Sequence, residues 1–326
     1  MAKMHIWIVV PCFHDIDSFV ELRNRAKKSL EDSIHAGREL RFIVIDDTAG
    51  TDHKIEQVAQ LNDVCVLTPP FNLGHQRALV FALRTLRDDL LPQDIIVTMD
   101  SDGEDRPEDL PALITALGLD SARPKIVLAK RTKRKVSWKF RLLYFGFVLM
   151  FKALTGRILK SGNFAVFYGS TVRKVIHHPY FDLCYSSSLV NLRVPVDYVA
   201  CERGKRYFDE SKMGYFNLLI HGFRMLMPFM ERIAVRSLLF SSALMVGAAG
   251  FGGYLVWSRY VWLQPIEATY VLAIGLTLGF SFFSLMTFFL MFAMFSQTQS
   301  IVLSQLDEYQ WKQPNSKSIW QTKTAS

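Results

Sequence analysis

Cysteine is scarce in this chain: Cys12, Cys65, Cys184 and Cys201 are the only four, and no two of them stand at CxxC spacing. That excludes a disulfide scaffold and a cysteine-built zinc module, fits a reducing compartment, and leaves the four as packing residues. Histidine offers no zinc motif either, since His75 and the pair His177-His178 have no second pair at metal spacing and are expected to be structural. No Ser-His-Asp or Cys-His pattern marks a nucleophile, and neither an internal repeat nor a low-complexity segment is found, only a polar tail after Asp307. A signal-peptide core is missing as well. The first apolar run, 6–10, is too short and ends at Pro11, so it reads as a strand and nothing is expected to be cleaved or exported.

What the chain has in abundance is apolar surface. Half of its 326 residues are hydrophobic and its mean hydropathy is +0.16, unusual for a purely soluble protein. Residues 237–257 hold no charge and 268–295 form a longer uncharged run, each sufficient for the roughly 30 Å hydrocarbon core of a bilayer. The connection 258–267 is short and contains Pro265, which predicts an antiparallel transmembrane hairpin with Trp257, Tyr260, Trp262 and Tyr270 as an interfacial aromatic belt. Arg224, Arg232 and Arg236 precede the hairpin, Lys312, Lys317 and Lys323 follow it, and its loop holds only Arg259. Both termini are therefore expected on the cytoplasmic side. Gly247, Gly250 and Gly253 either pack the hairpin on itself or join protomers in a homo-oligomer.

Basic residues exceed acidic ones, 38 against 30, for a net charge of +8. Alone, the run Lys130-Arg131-Thr132-Lys133-Arg134-Lys135 would suit nucleic acid. It leads directly into the apolar, aromatic stretch 138–151, too short to span a membrane and fitted to lie in its interface. Anionic lipid is the better partner, each surface cation contributing about 1 kcal/mol, and no nucleic-acid partner is expected. In 213–233, Phe216, Leu219, Ile220, Phe223, Met227 and Met230 recur at helical spacing, giving a second amphipathic helix that is either juxtamembrane or part of a core.

The first part of the chain alternates strand and helix patterns. Residues 6–10, 40–45, 64–67, 95–99 and 126–129 read as strands, and 18–36, 53–61, 76–87 and 107–117 as helices. Repeated βα units imply an α/β domain with a mostly parallel sheet covered on both faces, whose loops after the strands converge on one site. Those loops are 11–17, 46–52, 68–75 and 100–105. Asp100-Ser101-Asp102 closes the run Ile95-Ile96-Val97-Thr98-Met99, so two carboxylates sit where a divalent cation and a diphosphate would meet. The same acidic loop also reads as a helix cap before Pro107 and Glu108. Asp46-Asp47 could accept hydrogen bonds from ribose hydroxyls or a base, and Asn72-Leu73-Gly74 could bring backbone N–H groups to a ligand.

Taken in order, these pieces resemble the family 2 glycosyltransferases of GT-A fold, and within them the polyprenyl-phosphate glycosyltransferases, the group of dolichyl-phosphate mannose synthases and bactoprenol glucosyl transferases. The residues that carry the resemblance are Val9-Val10-Pro11-Cys12-Phe13, Val44-Ile45-Asp46-Asp47 with Asp52, Asn72-Leu73-Gly74 with Ala78, and Met99-Asp100-Ser101-Asp102 with Asp105, Pro107 and Glu108. Further on, Lys130-Arg131 stands where the family has Ser-Arg, and Arg203, Arg206, Ser211 and Lys212 match an Arg-x-x-Arg-x-x-Gly-x-Ser-Lys element. The chain departs from the pattern at Glu104, often Gln in relatives, at Asp209 in place of Gly, in 161–164, and in a longer loop 47–52.

The resemblance implies a Rossmann-like GT-A domain over 1–212 with an interfacial helix near 137–153, a juxtamembrane amphipathic helix over 213–233, a transmembrane hairpin over 234–300 with helices near 236–257 and 268–295, and a polar cytoplasmic tail over 301–326. It implies inverting transfer of a sugar from a nucleoside-diphosphate donor, uridine preferred over guanosine, to a membrane polyprenyl phosphate in cell-envelope glycan synthesis at a bacterial inner membrane. Mg²⁺ or Mn²⁺ would sit on Asp100, Asp102 and Glu104. Pro11, Asp15, Asp46, Asp47, Asn72, Gly74 and Asp100 would hold the nucleotide-sugar, and Arg131, Arg203, Arg206, Ser211 and Lys212 the acceptor phosphate. Asp102, Asp105, Arg131 and Arg203 would be catalytic, with Asp105 either orienting the acceptor or capping the helix at Pro107. No general base is needed, because a phosphomonoester with a second pKa near 6 is already an anionic nucleophile. The alternatives are a catalytically silent GT-A membrane adaptor and a glycosyltransferase with a non-lipid acceptor. A processive polysaccharide synthase is disfavoured by the lack of a Gln-x-x-Arg-Trp element and of further membrane helices.

Overall fold

The computed structural model describes residues 4–118, 120–131, 138–158, 161–208, 215–263 and 265–298. Its elements in chain order begin with β1 (His5–Cys12), α1 (Ile16–Glu31), β2 (Glu39–Asp46), α2 (Ile55–Ala59), β3 (Val64–Leu67), α3 (His75–Leu86), β4 (Ile95–Thr98), α4 (Leu110–Leu117) and β5 (Ile126–Arg131). They continue with α5 (Trp138–Thr155), β6 (Ser161–Tyr168), α6 (Gly169–Val175), α7 (Tyr180–Leu183), α8 (Tyr185–Asn191), β7 (Val196–Cys201), α9 (Tyr215–Leu226), α10 (Met230–Val261) and α11 (Ala268–Thr298).

Seven strands form one sheet in the order β3-β2-β1-β4-β6-β5-β7. Only β6 runs against the others, paired antiparallel with both β4 and β5. The strands are nearly continuous apolar runs because both faces are covered. On one face Ile6, Ile8 and Val10 of β1 pack with Phe19 and Leu22 of α1 and Leu113 of α4. On the other, Trp7 and Val9 meet Leu79 and Leu83 of α3 and Tyr185 of α8. The alternation within β1 thus supplies two cores from one strand.

Every strand and helix expected up to 129 is present, with shifted ends. The 18–36 helix stops at Glu31, and the chain turns back through Gly37 at φ +80°. Pro107–Asp109 forms a 3₁₀ turn before α4, with Pro111 in the first turn of that helix. The antiparallel β6 was not among the expected strands, although Phe164 to Tyr168 is an apolar run bounded by Gly162-Asn163 and Gly169. It closes the gap between β4 and β5, which makes the sheet mixed.

The described residues fall into two compact units, 4–145 with 158–228, and 146–157 with 229–298. The first contains the sheet. In the second, α10 and α11 belong to two segments long and apolar enough to cross a membrane, Ile220–Val261 and Ala268–Leu290. The expected first span, 236–257, is extended at both ends: α10 begins at Met230, just past Pro228, and continues through Glu231, Arg232 and Arg236. Charge ends an apolar run without ending a helix, since Glu and Arg are good helix formers. The Ser241 hydroxyl donates to that of Ser284 at 3.2 Å, tying the two long helices, and Trp257 and Trp262 pack edge to face with centroids 4.6 Å apart at the turn. The Phe151 ring stands edge-on to Phe229 at 5.5 Å in the same unit. The expected tail, 301–326, lies outside the described residues.

Candidate functional site

All the site residues of the first unit come from one edge of the sheet. The C-terminal ends of β1, β2, β4, β5 and β7 point there, and so does the start of β6 because it runs the other way. The acidic loop follows β4. Asp100 accepts from His75 Nε2 at 2.7 Å and from Asn163 Nδ2 at 3.1 Å, both on Oδ1. The Asp100 N–H donates to Asp105 Oδ2 at 3.1 Å, and the Glu104 N–H to Asp102 Oδ1 at 2.9 Å, so the loop is folded on its own carboxylates. Ser101 donates to Asp15 Oδ2 at 2.8 Å, which fixes the loop to the start of α1.

Three arginines face this loop. Arg131, last residue of β5, donates to Asp105 Oδ1 at 2.8 Å and to Glu104 Oε2 at 3.4 Å, and stands 3.9 Å from Asp100. Arg203 donates to Glu104 Oε1, which also accepts from Arg206 Nε at 3.1 Å. Arg206 reaches Asp102 Oδ2 at 2.9 Å as well. The segment 202–208 that brings the last two is laid on the acidic loop by backbone bonds, Gly204 N–H to Glu104 O at 2.9 Å and Tyr207 N–H to Asp102 O at 3.0 Å. This approach requires two glycines. A Cβ on Gly204 would collide with the Gly103 carbonyl oxygen, and Gly103 itself, at φ +88°, lies under the Tyr207 ring, where a Cβ would come within 2.7 Å.

The charges in this cluster shift one another. Burial would lift Asp100, but the His75 and Arg131 cations and the Asn163 amide hold it well below the usual carboxylate range. Burial and the Asp100 charge then push Asp102 up to about 6. Asp105 is pushed to about 7 by the same two causes, with Arg131 opposing. Burial would lift Glu104 too, yet Arg203, Arg131 and Arg206 keep it below its ordinary value. Desolvation favours the neutral His75 ring, but Asp100, Asp102 and Asp105 outweigh this and raise its pKa.

These contacts bear on two expectations. Glu104, expected as a third metal ligand, takes three guanidinium groups, Arg131 on Oε2 and Arg203 and Arg206 on Oε1. Asp105 does not cap the turn at Pro107, which has no side-chain cap and Arg106 at its N-cap; it braces Asp100 and Arg131. Among the described residues no three His, Cys, Asp or Glu side chains converge to hold a metal ion. Mg²⁺ needs no such closed cage, binding through one or two carboxylates plus substrate phosphates. Asp102 with Asp100 fits that: the loop offers two carboxylates to a dication, and the Asp100 charge adds to burial in lifting Asp102, an effect that a dication would relieve.

The residues expected on the nucleotide side are placed around the same edge. Asp46 is buried and spends both oxygens on its own surroundings: Thr48 N–H and hydroxyl at 3.2 and 2.5 Å, Gly50 N–H at 3.0 Å, and Thr68 hydroxyl at 3.5 Å. These bonds organise the loop. Asp47 is likewise buried; Oδ1 accepts from Leu73 N–H at 2.7 Å, and Asn72 Nδ2 donates to the Asp47 carbonyl at 2.8 Å. Burial raises its carboxyl. Gly74, at φ +76°, precedes α3 and turns His75 inward. Pro11 is buried in β1 opposite Ile45, and Asp15 is half-buried on Ser101. Ser211 and Lys212 lie outside the described residues. The four cysteines are buried thiols, as expected of packing residues.

Sequence reasoning read His75 as structural and passed over Gln76 and Asn163. Gln76 Nε2 donates to Asn163 Oδ1, while Gln76 Oε1 accepts the Ser186 N–H at 2.9 Å, so α3, β6 and α8 are joined behind Asp100. Asn163 stands in the segment where the family pattern is broken, and His75-Gln76 directly follow Asn72-Leu73-Gly74, which were the available signals. Beside the acidic loop, on the side of α1, segment 202–208 borders a cavity of about 660 Å³ whose cations are Arg25, Arg106, Arg203, Lys205 and Arg206, against Glu21 and Glu108. Tyr207 and the exposed Phe208 give it an apolar wall.

The family model "Glycosyl transferase family 2" matches residues 7–181. No curated protein matches the chain. Among solved structures it is similar to glucosyl-3-phosphoglycerate synthase from Mycobacterium tuberculosis in complex with Mn²⁺, uridine-diphosphate-glucose and phosphoglyceric acid, with 16% identity over 71% of this chain and 80% of that chain and a TM-score of 0.48. A second is 4-diphosphocytidyl-2C-methyl-D-erythritol synthase, with 13% identity over 68% of this chain and 100% of that chain and a TM-score of 0.39.

Proposed function

The chain belongs to glycosyl transferase family 2, and we propose that within this family it moves a sugar, with inversion, from a nucleoside diphosphate to the phosphate of a membrane polyprenyl phosphate, uridine being the preferred nucleoside. The observation that carries this reading is the meeting of two charge sets at one sheet edge: Asp100 and Asp102 for a cation-bound diphosphate, and Arg131, Arg203 and Arg206 for a second anion. The apolar hairpin of the second unit supports a lipid acceptor, with orientation read from the flanking Lys and Arg at a bacterial inner membrane. Helix α5, following the basic run, supports an interfacial contact.

Mg²⁺ or Mn²⁺ on Asp102 and Asp100 would supply charge neutralisation of the leaving diphosphate. The protein's own groups do the rest. The His75 ring N–H and the Asn163 amide keep Asp100 ionised and aimed. Asp105 holds Arg131 at the end of β5, so that its planar fork is fixed before the acceptor arrives. Arg203 and Arg206 come from a segment anchored to the acidic loop itself, which couples acceptor capture to the donor side. The acceptor phosphate is already an anion at neutral pH, and holding it against the donor supplies much of the rate.

The test is a transfer assay with purified protein, labelled nucleotide-sugars and polyprenyl phosphate, which should give an acid-labile lipid-linked sugar. Chelation should abolish the product and added Mn²⁺ restore it. Asp102→Asn should lower kcat by about 10² or more, the scale of losing one preorganised electrostatic group, while its melting temperature stays close to that of the parent. An active, chelator-resistant Asp102→Asn protein sinks the metal role.

A further inference from the structure

Glu104 is the one carboxylate of the acidic loop held by all three arginines, Arg131 on Oε2 and Arg203 and Arg206 on Oε1. Three guanidinium groups offer far more N–H donors than one carboxylate can accept, and their planar forks match the oxygens of a phosphate. The carboxylate is also tethered within the loop by its own backbone N–H to Asp102 and carbonyl to Gly204, so its occupancy of the arginines is intramolecular. Its side chain is only 11% exposed, whereas those of Arg131, Arg203 and Arg206 are 29%, 27% and 32% exposed, so the arginines keep a face open to an incoming anion while Glu104 lies behind them.

We propose that Glu104 is a built-in stand-in for the acceptor's phosphate: it keeps the three arginines assembled without ligand, and competes with the phosphate monoester that must displace it. Glu104 thus sets acceptor specificity. A weakly charged anion would not dislodge a carboxylate shared by three cations, whereas a phosphate bearing close to two charges and three acceptor oxygens would. Released, Glu104 stays attached to the loop that carries Asp102, so arrival of the acceptor is felt on the donor side. This rests on the phosphate-acceptor reading above.

The competition is measured with the full chain in phosphatidylcholine nanodiscs, titrated with inorganic phosphate and then assayed for its KM toward polyprenyl phosphate. Because an internal competitor lowers apparent affinity by the fraction of time the site is free, Glu104→Gln should bind phosphate about tenfold more tightly and lower the acceptor KM, with a smaller gain in Glu104→Asp, whose shorter side chain cannot reach all three arginines. A role confined to holding the loop predicts the reverse, weaker phosphate binding in both variants. Unchanged or weaker binding in whichever variant folds overturns the inference, even if the parent transfers sugar to lipid. Tighter phosphate binding with no transfer to polyprenyl phosphate by the parent upholds it and overturns the lipid acceptor instead.

Discussion

At the scale of single residues, the site is held together by what is absent from two side chains. Gly103 and Gly204 let two segments approach backbone to backbone, so that the Gly204 N–H reaches the Glu104 carbonyl at 2.9 Å and the Tyr207 ring lies over Gly103. Tyr207 is itself clamped by Arg25, whose guanidinium carbon is 4.8 Å from the ring centroid. In Gly204→Ala the new methyl collides with the Gly103 carbonyl, and a backbone oxygen cannot swing aside. Segment 202–208 then lifts, carrying Arg203 and Arg206 from Glu104. The core is untouched, so the expected result is a melting temperature near that of the parent with acceptor KM raised about tenfold, the usual cost of misplacing a charged hydrogen-bond pair by an ångström or so. A parental KM would mean that the segment does not depend on this contact.

At the scale of elements, the buried pair Arg84–Asp182 joins α3 to α7, with side chains only 3% and 7% exposed and two hydrogen bonds of 2.6 and 3.1 Å. Arg84 Nε also donates to the Ile176 carbonyl at 3.2 Å. Removing one partner strands a buried charge, so Arg84→Ala should destabilise by about 3 kcal/mol or more, read as a shift in chemical denaturation midpoint. The double variant Arg84→Met with Asp182→Leu should regain much of that loss, because well-packed apolar pairs replace buried ion pairs at little cost. Neither partner was legible beforehand: they lie 98 positions apart, and only tertiary folding brings them together. The same reason divides the rest of the fold and site. β1, β2, β3, β4 and β5 were readable because strands buried on both faces are bare apolar runs closed by turn residues. The antiparallel direction of β6 was not, since it depends on its partners. Asp100 and Asp102 were readable from their place after a strand, while Glu104's arginine partners required the fold to bring 131 and 203–206 back to residue 104.

At the scale of the whole molecule, the long apolar helices and the distribution of cations make one joint claim about sidedness. The connection between α10 and α11 carries Glu267 and no Lys or Arg, whereas Arg224, Arg232 and Arg236 stand before the hairpin and Lys312, Lys317 and Lys323 after it. Under the positive-inside rule we propose that the connection faces away from the cytoplasm and that the sheet-bearing unit is cytoplasmic, where nucleotide-sugars are found. The native cysteines are buried, so single engineered thiols can report on this with little background. In right-side-out membrane vesicles an impermeant maleimide should label Glu267→Cys, in the exposed connection, and leave Asp88→Cys unlabelled although that side chain is 75% exposed. After permeabilisation both should react. Labelling at 88 before permeabilisation would invert the orientation, and protection of both would mean that the hairpin enters the bilayer without crossing it. In the inverted case the cation-rich flanks would face away from the anionic cytoplasmic leaflet, losing the attraction of about 1 kcal/mol per Lys or Arg that the basic surplus otherwise provides.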